Sequence, residues 1–154
     1  MLSSMVGSQK EFSNSLRELL ELDYDAVEAY KTSIDRIRDP ESKEMITGFM
    51  RDHENHIKEL TDIFKKHNMD CPQGPTSKQW LTKGKVVLSN IIGDDGILSA
   101  MHSNEEETTK AYETLVNRED IWEDSEDFLR RGLEDEKRHK TGIEERRKVL
   151  KEKH

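Results

Sequence analysis

Glu136 and His139 stand three residues apart, and His53 and His56 repeat that spacing earlier in the chain. On a helix, residues at i and i+3 share a face, so each pair presents two ionisable groups one above the other. Asp23 and Glu105 are single acids, each set inside an apolar repeat of helical period. Unpaired carboxylates and imidazoles in a helical core are strongly destabilising. A bound metal ion is the simplest way to make such a cluster tolerable, and these three carboxylates and three imidazoles are donor types that hold transition metals.

Other residues carry weaker signals. His102 lies one helical turn before Glu105 and is an additional ligand candidate. His67 and His154 are expected in a loop and at the terminus. In the run Glu105-Glu106-Glu107 only Glu105 lies in an inward stripe, so the other two are expected to face solvent. Trp80 and Trp122 read as packing anchors, and Tyr30 and Tyr112 as core aromatics. Taken alone, Glu136 and His139 also fit an ordinary helical ion pair, and His53 and His56 fit satisfied core histidines. Six such residues at one level of four helices are harder to explain as independent accidents. A pocket for haem or another small molecule, lined by Met45, Met50 and Met101, is a further reading, although methionines at helical spacing usually fill cores.

Four helical patterns must position these groups. The first runs from about Phe12 to Arg38 with the stripe Leu16, Leu20, Asp23, Val27, Tyr30, Ile34 and Ile37. Its alternating steps of four and three give a bundle seam. Asp39-Pro40 ends it, because proline restricts the residue before it and lacks a backbone donor. The second runs from about Glu41 to Lys66 with Ile46, Phe49, His53, His56, Leu60 and Ile63 inward. The short turn makes these two an antiparallel hairpin, which sets Asp23 level with His53 and His56. A long connection from His67 to about Gly96 follows, broken by Pro72, Gly74 and Pro75, with room for a short helix over Ser77 to Ile92. A connection of that length can cross a bundle end to end. The third helix is expected over Ile97 to Val116, with Leu98, Met101, Glu105, Thr108, Tyr112 and Leu115 inward and Asp94 or Asp95 capping its start or the preceding turn. The fourth is expected over Ser125 to Lys151, with Leu129, Gly132, Glu136, His139, Ile143 and Leu150 inward. The expectation is an all-α, up-down four-helix bundle occupying residues 1–154 as one domain, with residues 1–10 as a flexible tail.

Composition narrows the function. Hydrophobic residues make up 32% and charged residues 38%, values that would suit disorder but for the regular apolar spacing. A net charge of −8 disfavours broad nucleic-acid binding, which needs a basic surface. The single cysteine, Cys71, excludes an internal disulfide, a Cys-x-x-Cys zinc knuckle and a rubredoxin-type iron centre. The start lacks the apolar segment of a signal peptide, and no run approaches the roughly 18 apolar residues of a membrane span. A soluble cytoplasmic setting is the expectation, with a homodimer or larger homo-oligomer left open.

The two halves resemble each other. Val27-Glu28-Ala29-Tyr30 aligns with Thr109-Lys110-Ala111-Tyr112, placing Asp23 and Glu105 each seven residues before a tyrosine. Asp52-His53-Glu54-Asn55-His56 aligns with Asp135-Glu136-Lys137-Arg138-His139. An internally duplicated hairpin is the natural reading, and it implies a pseudo-symmetric site.

At these residues the chain resembles the ferritin-like superfamily, which includes bacterioferritin and rubrerythrin and places single acids on two helices and Glu-x-x-His on the other two. The resemblance puts Asp23 and Glu105 in the single-acid places, Glu136 and His139 in one Glu-x-x-His, and Tyr30 and Tyr112 as hydrogen-bonding partners of the ligands. The stretch from Trp80 through Tyr112, with its Gly-Asp-Asp-Gly, is similar to a bacterial group of ferritin-like domains of unassigned function. The pattern departs at His53, where the family has a glutamate that usually bridges two irons. The resemblance implies a di-iron-type site with one or two Fe ions and ferroxidase or peroxide-reducing chemistry. The extra imidazole moves the preference toward Zn, whereas carboxylates suit iron and Mn. The competing expectation is a non-enzymatic bundle whose metal site is structural or degenerate, acting as a stress-related or interaction module.

Overall fold

The computed structural model describes residues 11–75 and 85–152, with side chains throughout except at 85–87. The expected tail, the part of the short crossover helix before Lys85, Trp80 and His154 lie outside the described residues. Those described are all-helical, with no strand among them. Five helices follow in order: α1 (Phe12–Arg36), α2 (Pro40–Lys66), α3 (Lys85–Asn90), α4 (Asp94–Val116) and α5 (Glu123–Glu152).

The helix limits have local causes. α1 stops two residues short of the expected Arg38, with Ile37 already extended and its N–H returned to Ser33. Pro40 then opens α2, where its missing donor costs nothing. The Asp39 carboxylate caps this start, accepting from the Ser42 N–H at 3.0 Å and the Ser42 hydroxyl at 2.6 Å. α4 begins three residues earlier than the sequence predicts because Gly93, at φ 89°, turns the chain through a conformation that favours glycine. Asp94 does not cap its own helix. Its carboxylate accepts from the N–H groups of Arg38 and Asp39 at 2.9 and 2.8 Å, satisfying the corner between α1 and α2. The acids Glu123, Asp124 and Glu126 in the first turn of α5 and Lys151 in its last complement the helix dipole.

α1 packs against α2 and α4, and α5 packs against those same two helices. Two apolar clusters fix the directions. One joins Phe12 and Leu16 near the start of α1 to Phe64 at the end of α2, Leu115 at the end of α4 and Phe128 near the start of α5. The other joins Ile37 just past α1 to Ile46 of α2, Ile97 and Leu98 of α4, and Ile143 of α5. So α1 and α5 run one way, and α2 and α4 run the other. The connection from α2 to α4 therefore travels the length of the molecule, as its length allows.

Burial follows the predicted stripes closely. All six residues of the α2 stripe and all six of the α4 stripe are buried, whereas Ile34 of α1 and Leu150 of α5 are only partly so. Glu106 and Glu107 are exposed. Trp122 packs edge-on to Phe12 and Phe64 and stacks on His67. Between the two apolar clusters lies a layer that is polar and dry.

Candidate metal centre

That layer contains Asp23 from α1, His53 and His56 from α2, Glu105 from α4, and Glu136 and His139 from α5, none of them more than 3% exposed. His53 sits in the middle. Its Nδ1 faces Asp23 Oδ1 at 2.8 Å, while its Nε2 faces Glu105 Oε1 at 3.1 Å and Glu136 Oε2 at 3.4 Å. His56 Nδ1 stands 3.5 Å from both Asp23 Oδ1 and Glu136 Oε1. His139 Nδ1 stands 3.4 Å from both Glu105 Oε1 and Glu136 Oε2. The donors thus form two overlapping groups that can each hold an ion, Asp23–His53–His56–Glu136 and His53–Glu105–Glu136–His139.

Every ligand candidate except His53 has an outer partner. Tyr30 donates to Glu105, and Tyr112 donates to Asp23 at 2.8 Å. The Thr108 hydroxyl lies 3.1 Å from Glu136 Oε2 and 3.2 Å from Glu105 Oε2. The far nitrogens of two histidines are bound crosswise: His139 Nε2 to Asp52 on α2, and His56 Nε2 to Asp135 on α5, each at 2.8 Å. Arg138 joins those two carboxylates at 2.8 and 3.1 Å. Carboxylates that orient the remote nitrogen of a histidine are a usual accompaniment of metal ligands. Phe49 stacks on the His139 ring at 4.3 Å and holds its plane.

Gly132 is needed for this layer to close. A Cβ there would run into the Tyr112 ring, with the ring Cδ1 only 2.9 Å away and Cε1 closer still. The α5 backbone approaches α4 closely enough to seat Tyr112 against Asp23.

Electrostatically the buried carboxylates favour positive charge beside them. Burial pushes the Glu136 carboxyl up, and the Glu105 charge pushes it further. Burial also acts on Glu105, but a hydrogen bond from Glu136 and the charge of His53 outweigh it and hold Glu105 well below its ordinary value. Two carboxyls in contact in a dry core share a proton instead of both ionising. Burial opposes charge on the histidines, yet their carboxylate neighbours win: His56 is pushed up to about 12 and His139 to about 10. For Asp52, hydrogen bonds from His139 and Arg138 overcome burial and bring it to about 2. Burial and the adjacent carboxylates push both tyrosine hydroxyls well above their ordinary value.

Does this donor set fit a metal? Three of its buried atoms, His56 Nδ1, Glu136 Oε1 and His139 Nδ1, have no hydrogen-bond partner, and all three stand beside other donors of the layer. Two donors each ~2.1 Å from a tetrahedral ion stand about 3.4 Å apart. The His139 contacts, at 3.4 Å to Glu105 and to Glu136, match that spacing. The set fits.

The structure brings together Asp23, His53, His56, Glu105, Glu136 and His139, with Tyr30 and Tyr112 bound to two of them. It does not bring His102 to this group. That imidazole faces Glu106 at 3.0 Å and Glu144 at 2.7 Å near the surface. Sequence reasoning missed Asp52 and Asp135 as partners of the histidines, although their matching places in the two half-motifs were a signal. Thr108 was placed inward without a role.

The molecule is thus an all-helical protein with a buried Asp/His/Glu cluster able to hold a metal ion. It belongs to the family described as a domain of unknown function, DUF2383, whose model matches residues 11–118. That match includes Asp23, His53, His56 and Glu105 and stops before α5, which supplies Glu136 and His139. No curated protein and no solved structure matches the chain. Among the described residues no helix is long and apolar enough to cross a membrane.

Proposed function

We propose that this chain is a ferritin-like four-helix bundle, formed by α1, α2, α4 and α5, whose core binds a divalent transition metal. One observation carries this reading: buried His56 Nδ1, Glu136 Oε1 and His139 Nδ1 lack hydrogen-bond partners and lie among carboxylates and imidazoles from four helices. The two imidazole nitrogens stand 3.4–3.5 Å from carboxylate oxygens of the layer, beyond a good hydrogen bond, and one of those oxygens is Glu136 Oε1, so an ion seated among them would satisfy all three atoms. The crossed pairs of His139 with Asp52 and His56 with Asp135 support it, since they aim Nδ1 of each ring at the centre.

Asp23, His56 and Glu136 offer donors on one side of the layer, and Glu105, His139 and Glu136 on the other. His53 stands between them, where the ferritin-like pattern has a bridging glutamate. A pair of iron ions would supply ferrous oxidation or peroxide reduction. A single redox-silent ion would instead cross-link the four helices, which is the second reading, and His53 in the bridging place favours it.

Metal analysis of chain purified without chelator tests the proposal, followed by ferrous-oxidation assays. Retained metal, with a melting temperature that falls on its removal and recovers on its return, supports metal binding. Rapid ferrous oxidation with two irons per chain would select the enzymatic form. No metal, and no change of melting temperature with any divalent ion, would refute it.

A further inference from the structure

The two donor groups are not equivalent, and the difference lies at His53. In the second group, His53 Nε2 is 3.1 Å from Glu105 Oε1 and 3.4 Å from Glu136 Oε2, and His139 Nδ1 is 3.4 Å from both of those oxygens. These four spacings come close to four of the six edges of a tetrahedron about 3.4 Å on a side, the size set by ligand bonds of ~2.1 Å, and the ligand atoms of all four residues lie within 4.8 Å of one another. Both ring nitrogens of His53 lie within hydrogen-bond distance of a carboxylate, Nδ1 at 2.8 Å from Asp23 and Nε2 at 3.1 Å from Glu105, and the approach to Asp23 is the shorter. A metal ligand must be a neutral imidazole, and with the Nδ1–H kept on Asp23 the lone pair of His53 is on Nε2, which faces the second group.

We propose that the resident ion is a single tetrahedral cation of the zinc type, held by His53 Nε2, Glu105 Oε1, Glu136 Oε2 and His139 Nδ1, with Asp23 as the outer carboxylate that orients His53 and not as a ligand. The proposal rests on the metal-binding reading above and narrows it to one half of the layer. Two carboxylates neutralise one divalent ion. Each of the four ligands then has an outer partner, Asp23 for His53, Asp52 for His139, Tyr30 for Glu105 and Thr108 for Glu136, while His56 Nδ1 and Glu136 Oε1 pair with each other at 3.5 Å beside the ion. Two imidazoles and two carboxylates are donors that zinc accepts in tetrahedral geometry.

Titration of the metal-free full chain with Co(II) tests this. One Co(II) is expected to bind per chain, with the intense visible absorption of tetrahedral coordination, and Zn(II) should displace it. Asp23→Asn should keep that spectrum while weakening Co(II) binding about 10–100-fold, the usual effect of losing an outer partner. His53→Glu, which restores a fourth carboxylate, should raise the stoichiometry to two. Two Co(II) ions per unmodified chain, or only the weak bands of six-coordinate cobalt, would overturn the inference while leaving metal binding intact. A His53→Glu chain that still takes one ion would contradict the role given to His53. Failure of the unmodified chain to bind either Co(II) or Zn(II) would overturn both readings, and this arm needs no variant to fold.

Discussion

The Nε2 of His139 donates to the Asp52 carboxylate 2.8 Å away, reaching from α5 to α2. His56 on α2 answers with the same bond, at the same distance, to Asp135 on α5. The internal duplication seen in the sequence thus becomes a reciprocal clasp across the molecule. Arg138 ties the two carboxylates together at the surface, and the aligned position in the first half is Asn55, so this tie has no counterpart there.

Asp52→Asn should weaken metal binding about 10–100-fold, because the amide neither fixes the His139 tautomer nor raises its basicity. Competition titration against a coloured chelator measures it. Unchanged affinity would mean that His139 is not a ligand.

Gly132→Ala separates packing from helix propensity. Propensity alone favours alanine in a helix interior by about 1 kcal/mol. The contact with Tyr112 opposes it, since overpacking costs about 1–3 kcal/mol. Net destabilisation in urea unfolding is expected, together with weaker metal binding as Tyr112 is pushed away from Asp23. A more stable variant would show that α4 and α5 can part without cost.

The histidines give opposite pH dependences to the metal-free and metal-loaded protein. With His56 pushed up to about 12 and His139 to about 10, against an ordinary value of 6.5, the folded metal-free chain holds protons that the unfolded chain has released. Both contributions are complete below pH 6.5; that of His139 is lost as pH rises through about 10, and that of His56 only toward about 12. Metal-free stability should therefore decline over that range, whereas metal affinity should increase, because ligation displaces those protons. Unfolding and metal titrations at matched pH values check both slopes. Metal-free stability that increases with pH would count against the charged layer.

Much of this was legible because helical periodicity and buried polarity coincide. The α2 stripe alone marks its core face and two of the clustered histidines. What the sequence hid was sideways geometry. Asp52 precedes His53 by one residue, which places it on the flank of α2, where it reads as solvated charge. Only the closeness of α5 turns it toward His139. Asp94 was similarly ambiguous: it is placed like an N-cap for α4, yet its partners are Arg38 and Asp39, distant in sequence. The early start of α4 depends on the positive φ of Gly93, which helical spacing does not encode.

The corner that Asp39 organises should matter to stability more than to metal binding. Its carboxylate caps α2 and accepts from Arg146 at 2.7 Å, tying the start of α2 to α5. Asp39→Ala should lower the urea midpoint, and Asp39→Asn should do so less, since asparagine still caps. Loss of metal with no loss of stability in either variant would contradict this division.

The most direct measurement is an anomalous-difference map from crystals of the chain loaded with Zn(II). The account predicts a peak bounded by His53, Glu105, Glu136 and His139. Zinc found only at the surface, for instance between His102 and Glu144, with none among the buried residues, would contradict it.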